Sequence, residues 1–306
     1  MRKPAQDIVL QEFKVNKPSQ LLDFLIEKEV RKSRNAVKSL LAHKQIKVNN
    51  KLQVQFDFAL NEGDRVSVMK YNQARKINKL KGLTIVYEDG YLVVIEKEAG
   101  MLSIGTDKEK TLTIFNTLNN HVKAKGKKDS RVFVLHRLDR EVSGLMVFSK
   151  DAETQAIFQK NWDIVVPEYK YQAVIQGQME PKEGKIRSWL TENKNFMIFS
   201  SSFDNGGLEA VSKYKTLKES KHYSLLEIEL ITRRKNQIRA QLNQYKHPIV
   251  GDKKYGASSN PIKRIALHAQ RMVIKHPVSG QILEFESNLP KPMTQLLNER
   301  SQSKQE

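Results

Sequence analysis

Apolar residues change their spacing along this chain near residue 83. Before that point the pattern is partly helical. Leu22, Leu25 and Ile26 recur on one helical face behind Ser19, and Val37, Leu40 and Leu41 do so behind Ser33. Two short helices are predicted, each opened by a serine whose hydroxyl can accept a backbone N–H. Ile46 and Val48 then alternate with Lys47 ahead of an Asn49-Asn50 turn, and Leu60, Gly63, Asp64, Val66 and Val68 read as a closing strand. Residues 70–82, KYNQARKINKLKG, hold Ile77 and Leu80 as their only large aliphatics and read as a basic linker.

From Leu83 onward, period-2 segments dominate. They cover Thr84 to Tyr87, Tyr91 to Ile95, Val132 to Leu135, Leu145 to Phe148, Tyr169 to Ile175 and Tyr223 to Ile231. Helical spacing returns near Thr111 to His121, Asp151 to Asn161 and Gln237 to Gln244. Strands outnumber possible crossover helices, so the expected fold is α+β with a mixed, mostly antiparallel sheet, not a doubly wound one. The expected organisation is a small N-terminal α/β domain over 1–69 (core 17–69), a linker over 70–82, a sheet domain over 83–295 and a polar tail over 296–306. Asn205-Gly206-Gly207 reads as a hairpin turn, and the basic tracts 122–128 and 233–235 read as loops.

Composition narrows the chemistry. The 306 residues contain no cysteine, which removes thiolate catalysis, disulfides and cysteine-based zinc sites and fits a reducing cytoplasm. The seven histidines show no HxxH, HxxxH or HExxH spacing, so no metal site is expected; His136 and His268 read as hydrogen-bonded structural residues. No apolar run approaches the roughly 20 residues of a membrane span, and the first residues lack the apolar core of a signal peptide. With 53 Lys and Arg against 34 Asp and Glu, the formal charge of +19 would attract a polyanion. Nucleic acid is the expected partner; an anionic membrane would call for a basic amphipathic helix with exposed aromatics, and none is evident. Residues 1–81 carry 18 basic and 8 acidic side chains, a net of +10. Arg31, Arg34, Lys38, Lys44 and Lys47 gather around the second predicted helix and the strand after it, as candidates for phosphate contact.

The candidate chemistry lies in Val132 to Lys150, VFVLHRLDREVSGLMVFSK. Here Asp139 stands between Arg137 and Arg140, Ser143 and Gly144 bend the chain, and strand-like runs flank the whole as if to deliver a polar turn into a pocket. The run His136 to Arg140, followed by Ser143, Gly144 and Leu145, resembles the catalytic motif of the RluA-type pseudouridine synthases. Glu141 stands where that family commonly has Asp, and Val142 where it has Thr or Ala. Further motifs extend the resemblance from about Ile85 to Pro290. They are Tyr87-Glu88-Asp89 with Tyr91 to Gly100, Lys170 to Ala173 with Gly177, TRRKNQIR over Thr232 to Arg239, His247-Pro248-Ile249, Gly251-Asp252, Tyr255-Gly256 and Leu267-His268-Ala269. Glu98 replaces a usual Pro, Asn236 a usual His and Arg233 a usual Gly, a residue that often holds a backbone angle arginine tolerates poorly. The stretch SRNAVKSLLAHKQIKVNNKLQ and the later Gly63-Asp64 look like the small RNA-binding domain named after ribosomal protein S-four.

The resemblance implies an enzyme that breaks the bond between a uracil nitrogen and its ribose, turns the base and rejoins it through carbon 5. Such a reaction needs no cofactor. It implies Asp139 as the nucleophile, Arg239 as the partner that keeps it ionised and grips it through paired hydrogen bonds, and Tyr171 as a stacking face or a base for the carbon 5 proton. Arg140 and Arg137 would meet the RNA, Arg140 filling the space of the flipped nucleotide or binding its phosphate. The expected substrate is ribosomal RNA and the expected state a monomer. Alternatives are a transfer RNA synthase and a non-catalytic ribosome-assembly factor that keeps the fold. A methyltransferase acting at carbon 5 would want a cofactor loop and typically a cysteine, and the chain has neither.

Overall fold

The structure is a computed structural model that describes residues 9–31, 33–42, 45–69, 78–107, 109–125 and 129–298. Lys44, most of the predicted linker (70–77), residues 126–128 and 299–306 of the predicted tail lie outside these. The chain divides into two compact units, Met1–Lys76 with Lys275–Leu283, and Ile77–Ile274 with Glu284–Glu306.

In the first unit, helices Leu21–Glu27 and Arg34–Ala42 accompany an antiparallel sheet ordered Val9–Lys14, Arg65–Met69, Ile46–Val48, Lys51–Leu52. Leu21, Leu25, Val37, Leu40, Ile46, Val66 and Val68 form its core. Ser33 caps the second helix as expected, accepting the Ala36 N–H at 3.2 Å. Ser19 does not cap the first. It pairs with Leu60 in a short two-stranded element, and its hydroxyl is buried without a partner. The cap is dispensable because the N–H groups of Leu21 and Leu22 donate to the carbonyls of Phe58 and Phe56. The closing strand is split into Ala59–Leu60 and Arg65–Met69 by a turn in which the Asp64 carboxylate accepts from Asn61 N and Asn49 Nδ2. Asn49 and Asn50 both take left-handed φ values, 50° and 65°, as a two-residue hairpin turn requires.

The second unit is built on a twelve-stranded sheet. Its main path runs Ile198–Ser201, Glu183–Glu192, Leu208–Glu219, Tyr223–Leu230, Glu168–Gln176, Leu267–Lys275, Ser143–Ser149, Leu92–Lys97, Leu83–Glu88, Asn78–Leu80. Only the pair formed by Ser143–Ser149 and Leu267–Lys275 is parallel among the described pairs, so the expected mixed, mostly antiparallel α+β architecture stands. Several expectations change in detail. Asn78–Leu80, placed in the linker, is an edge strand turned onto Leu83–Glu88 through Gly82 at φ 77°. Asn205-Gly206-Gly207 does not turn a hairpin: the strands on either side of it both pair with Glu183–Glu192, so this segment crosses from one flank of that strand to the other. The tract Val122–Lys125 closes the helix Ile114–Lys125, because Val122 continues its buried face with Ile114 and Leu118.

Two helices support the region of interest. Ala152–Val165, capped by Asp151 on the Thr154 N–H at 2.7 Å, packs on Ser143–Ser149, whose residues are all buried. Gln237–Gln244 packs on Glu183–Glu192 and Ile198–Ser201. Gly144 is the one residue that lets the parallel pair form. At φ 117°, a Cβ there would lie 2.2 Å from the Ala269 carbonyl oxygen. Ser143 and Gly144 therefore open a strand; the bend expected of them falls at Asp139 to Val142, where Val142 N donates to the Asp139 carbonyl.

Candidate active site

Asp139 lies in the loop between the short strand Phe133–Val134 and its antiparallel partner Ser143–Ser149. The backbone on both sides of it is pinned. The Ser103 hydroxyl donates to the Leu138 carbonyl at 2.6 Å and accepts the Leu138 N–H at 3.1 Å. The Arg140 carbonyl accepts from Gly100 N at 2.8 Å and from the Lys97 ammonium at 3.0 Å. Lys97 is 1% exposed and also donates to the Glu98 and Met101 carbonyls, so one buried cation ties two loops together. Burial pulls its pKa down to about 7, with Arg264 and Arg140 adding to the effect and Glu141 and Asp139 opposing it. Ammonium donors matched by three carbonyls are what make that burial tolerable.

The structure brings Asp139, Tyr171 and Arg239 into one pocket of about 80 Å3, lined also by Arg137, Leu138, Val142, Leu230, Arg234, Asn236, Gln237, Ile238 and Leu267. Arg239 Nη1 donates to Asp139 Oδ2 at 2.9 Å. The expected two-point grip on Asp139 is absent, because the fork is turned to another carboxylate: Nε donates to Asp252 Oδ2 at 2.7 Å and Nη2 to Asp252 Oδ1 at 2.8 Å. The Asp252 side chain is 1% exposed and that of Asp139 34%. One carboxylate anchors the guanidinium and the other is left open to the pocket. Burial works against the Arg239 charge, but Asp252 and then Asp139 outweigh it and raise the pKa above the usual arginine value. The guanidinium also lies 4.7 Å from the Tyr255 ring centroid.

Tyr171 projects from the strand Glu168–Gln176, 7% exposed, its ring 4.9 Å from that of Tyr169. Tyr169 is held in turn by donating to the Leu145 carbonyl at 2.8 Å. Burial pushes the Tyr171 hydroxyl up to about 12, and the nearby Asp139 charge adds to this. At neutral pH it is a phenol. His136 and His268 are hydrogen-bonded and structural, as expected. His136 Nε2 accepts the Val147 N–H at 3.1 Å, and its ring packs edge-on to Trp162 and Tyr169. His268 sits in a buried chain with one donor direction: Arg264 to Ser143, Ser143 to His268 Nδ1, His268 Nε2 to Ser287, and Ser287 to Glu96. Burial lowers the His268 pKa to about 4, which keeps the ring neutral and able to accept at one nitrogen while donating from the other.

The departures from the family pattern have local explanations. Glu98 uses the N–H that proline would lack, donating to the Gly82 carbonyl at 2.9 Å. Arg233 keeps an ordinary φ; its guanidinium lies 5.2 Å from the Trp162 ring centroid and pairs with Asp163 at 2.6 Å. The left-handed residue of that motif is Asn236, at φ 53°, whose side chain donates to Tyr255 OH at 3.0 Å. Arg137 and Arg140 are exposed, and Arg137 lines the pocket. In the other unit Arg34 and Lys38 are exposed one turn apart, Lys38 lying 5.6 Å from the Phe56 ring centroid. Arg31 is partly buried with its guanidinium on the Val30 carbonyl, and Lys47 is partly buried. Ser103 and Arg264 stand in none of the motifs quoted above; Lys97 and Asp252 fall inside two of them, Tyr91 to Gly100 and Gly251-Asp252, but neither reads there as a site residue.

Among the described residues no group of three or more His, Cys, Asp or Glu is placed to hold a metal ion, and no helix is long and apolar enough to cross a membrane. Residues 91–244 match the sequence profile of the RNA pseudouridylate synthase family. An uncharacterised RNA pseudouridine synthase of Bacillus subtilis is 29% identical over 90% of this chain and 92% of its own length. Ribosomal large subunit pseudouridine synthase D of Neisseria meningitidis is 32% identical over 71% of this chain and 60% of its own. The solved structure of human RNA pseudouridylate synthase domain containing 4 shares the fold, with a TM-score of 0.55 at 24% identity, over 69% of this chain and 90% of that one. With half its length matched to the profile, and the motif residues gathered around one pocket, the chain belongs to the RNA pseudouridylate synthase family.

Proposed function

We propose that the chain converts uridine to pseudouridine in ribosomal RNA with Asp139 as its nucleophile. The observation that carries this is the single hydrogen bond from Arg239, itself locked by Asp252, to a carboxylate open to the pocket. A cation at 2.9 Å holds one oxygen of that carboxylate in place, leaving the other for attack on carbon 6 of the ring or on the anomeric carbon. The bond from ring nitrogen to anomeric carbon breaks, the bond from carbon 5 to that carbon forms, and the carbon 5 proton leaves while the freed nitrogen is protonated. Atoms and electrons balance without a redox step, so no role here calls for a cofactor. The Tyr171 ring supplies a stacking face for the extruded base, and its hydroxyl, a phenol at rest, takes the carbon 5 proton as it passes its own on to the freed ring nitrogen. Arg137 and Arg140 meet the RNA backbone at the opening, and the basic N-terminal unit, through Arg31, Arg34, Lys38, Lys44 and Lys47, adds phosphate contacts that position without choosing the uridine.

Likeness to a protein named for the ribosomal large subunit supports the substrate class. The cysteine-free composition is consistent with a cytoplasmic enzyme, and a monomer suffices because every proposed role is filled from one chain. Mapping pseudouridines in total RNA from cells with and without the protein tests the reading. Loss of a position in large-subunit ribosomal RNA is expected; a change confined to transfer RNA would overturn the substrate, and no change anywhere would overturn the activity.

A further inference from the structure

Beyond the pocket, one residue is held at a cost that packing does not explain. Phe196, in the turn between the strands Glu183–Glu192 and Ile198–Ser201, is 70% exposed and takes φ 57°. Asparagine or glycine suits that backbone region, and a bulky side chain there is a true outlier. The turn itself is well built: Asn193 exchanges backbone hydrogen bonds with Met197 and Phe196, and its side-chain oxygen accepts the N–H groups of Asn195 and Met197. The hairpin is also moored. Ile198 is buried with Ala240 and Tyr255, its N–H donating to Tyr255 OH. A strained, exposed aromatic ring on a fixed mount points to a role outside folding.

Its surroundings say what kind. The Lys235 ammonium lies 5.4 Å from the ring centroid, Lys254 reaches the Phe196 carbonyl, and Lys194 is exposed in the same turn. Against these three cations stands one acid, Glu192, paired with Lys235. Lys235 is flanked in sequence by Arg234 and Asn236, which both line the Asp139 pocket. The lysine beside the ring thus belongs to the same short segment as two residues of the pocket wall. Aromatic faces interleaved with cations are what unpaired nucleotides stack upon, whereas an apolar protein partner would leave these charges desolvated.

We propose that Phe196, with Lys235, Lys194 and Lys254, is a stacking platform for an unpaired RNA base flanking the target uridine. The target rests on the pseudouridine synthase reading; the binding does not. The probe is a 12-nucleotide single-stranded RNA with a central uridine and 2-aminopurine beside it, titrated with the full-length protein across a salt series. The parent is expected to change the 2-aminopurine emission on binding. Phe196→Ala should bind about five- to a hundred-fold more weakly, the loss typical of one stacked base, with the slope of log affinity against log salt unchanged, since stacking releases no counterions. Phe196→Trp should restore binding. Phe196→Asn, which suits the left-handed turn, should melt no lower than the parent while binding as poorly as the Ala variant, which separates stacking from folding. No emission change with the parent, equal affinity of the Ala variant, or Leu serving as well as Trp would each overturn the platform; unchanged RNA affinity would hand the ring to a protein partner. A parent that binds the probe through Phe196 yet leaves cellular pseudouridines unaltered would sink the enzymatic reading and spare the platform.

Discussion

Arg239 and Asp252 meet through a two-point fork, Nε on Oδ2 at 2.7 Å and Nη2 on Oδ1 at 2.8 Å, which leaves Nη1 alone to reach Asp139. Asp252 therefore aims the guanidinium that steadies the proposed nucleophile. Asp252→Asn keeps the shape but removes the charge, and a buried cation left half-paired costs about 3 kcal/mol or more. The urea midpoint should fall accordingly, and in molecules that remain folded the single-turnover rate should drop at least tenfold with little change in RNA affinity. An unaltered rate would show that the fork is scaffolding alone.

Asp139→Asn should fold and bind RNA like the parent and release no tritium from carbon 5 of labelled uridine. Substantial release would take Asp139 out of the chemistry.

The two jobs given to Tyr171 part company in two substitutions. Tyr171→Phe keeps the ring that packs 4.9 Å from Tyr169, so RNA binding should hold while loss of the carbon 5 proton slows on the order of a hundredfold. Tyr171→Leu should weaken binding as well. A Phe variant as fast as the parent leaves stacking only, and a Leu variant as fast removes both roles.

His268 makes the fold sensitive to acid. Its folded pKa of about 4 lies below the ordinary 6.5, so its contribution is present in full above pH 6.5 and is lost as pH falls through 6.5 toward 4. A shift of that size is worth on the order of 3 kcal/mol. Urea midpoints of the parent should decline across this window more steeply than those of His268→Gln; parallel declines would place the acid sensitivity elsewhere.

Arg34 and Lys38, one turn apart and exposed, are proposed phosphate contacts. Replacing both by Gln should flatten the slope of log affinity against log salt by up to about two without moving the modified position. An unchanged slope would mean a solvated face, and a moved position would put target choice in the N-terminal unit.

Much of this could be read along the chain, for a physical reason. The strand segments around Ile95, Phe148, Ile175 and Leu226 alternate or run apolar because the sheet buries them, and Asp139, Tyr171 and Arg239 stand in motifs whose neighbours identify them. What escaped are relationships that only tertiary contact creates. Asp252 stands in a motif, Gly251-Asp252, but its hold on Arg239 shows only when the two are seen together. Lys97 reads as the solvated end of a strand, since its three carbonyl partners come from two separate loops. Gly144 reads as a bend residue, because the Ala269 backbone that excludes a Cβ arrives from 125 positions away. Ser19 misleads for the converse reason: the carbonyls of Phe56 and Phe58 had already taken the donors it was expected to cap.

The bond between Arg239 and Asp139 spans 100 positions of sequence. No local fragment can rehearse it: the loop, the helix and the Tyr171 strand become neighbours only when the sheet that separates them in sequence has closed. Contacts of such long range are the slowest for a chain to find. The pocket is thus a property of the assembled sheet, and no stretch of the chain that stops short of Arg239 can hold it.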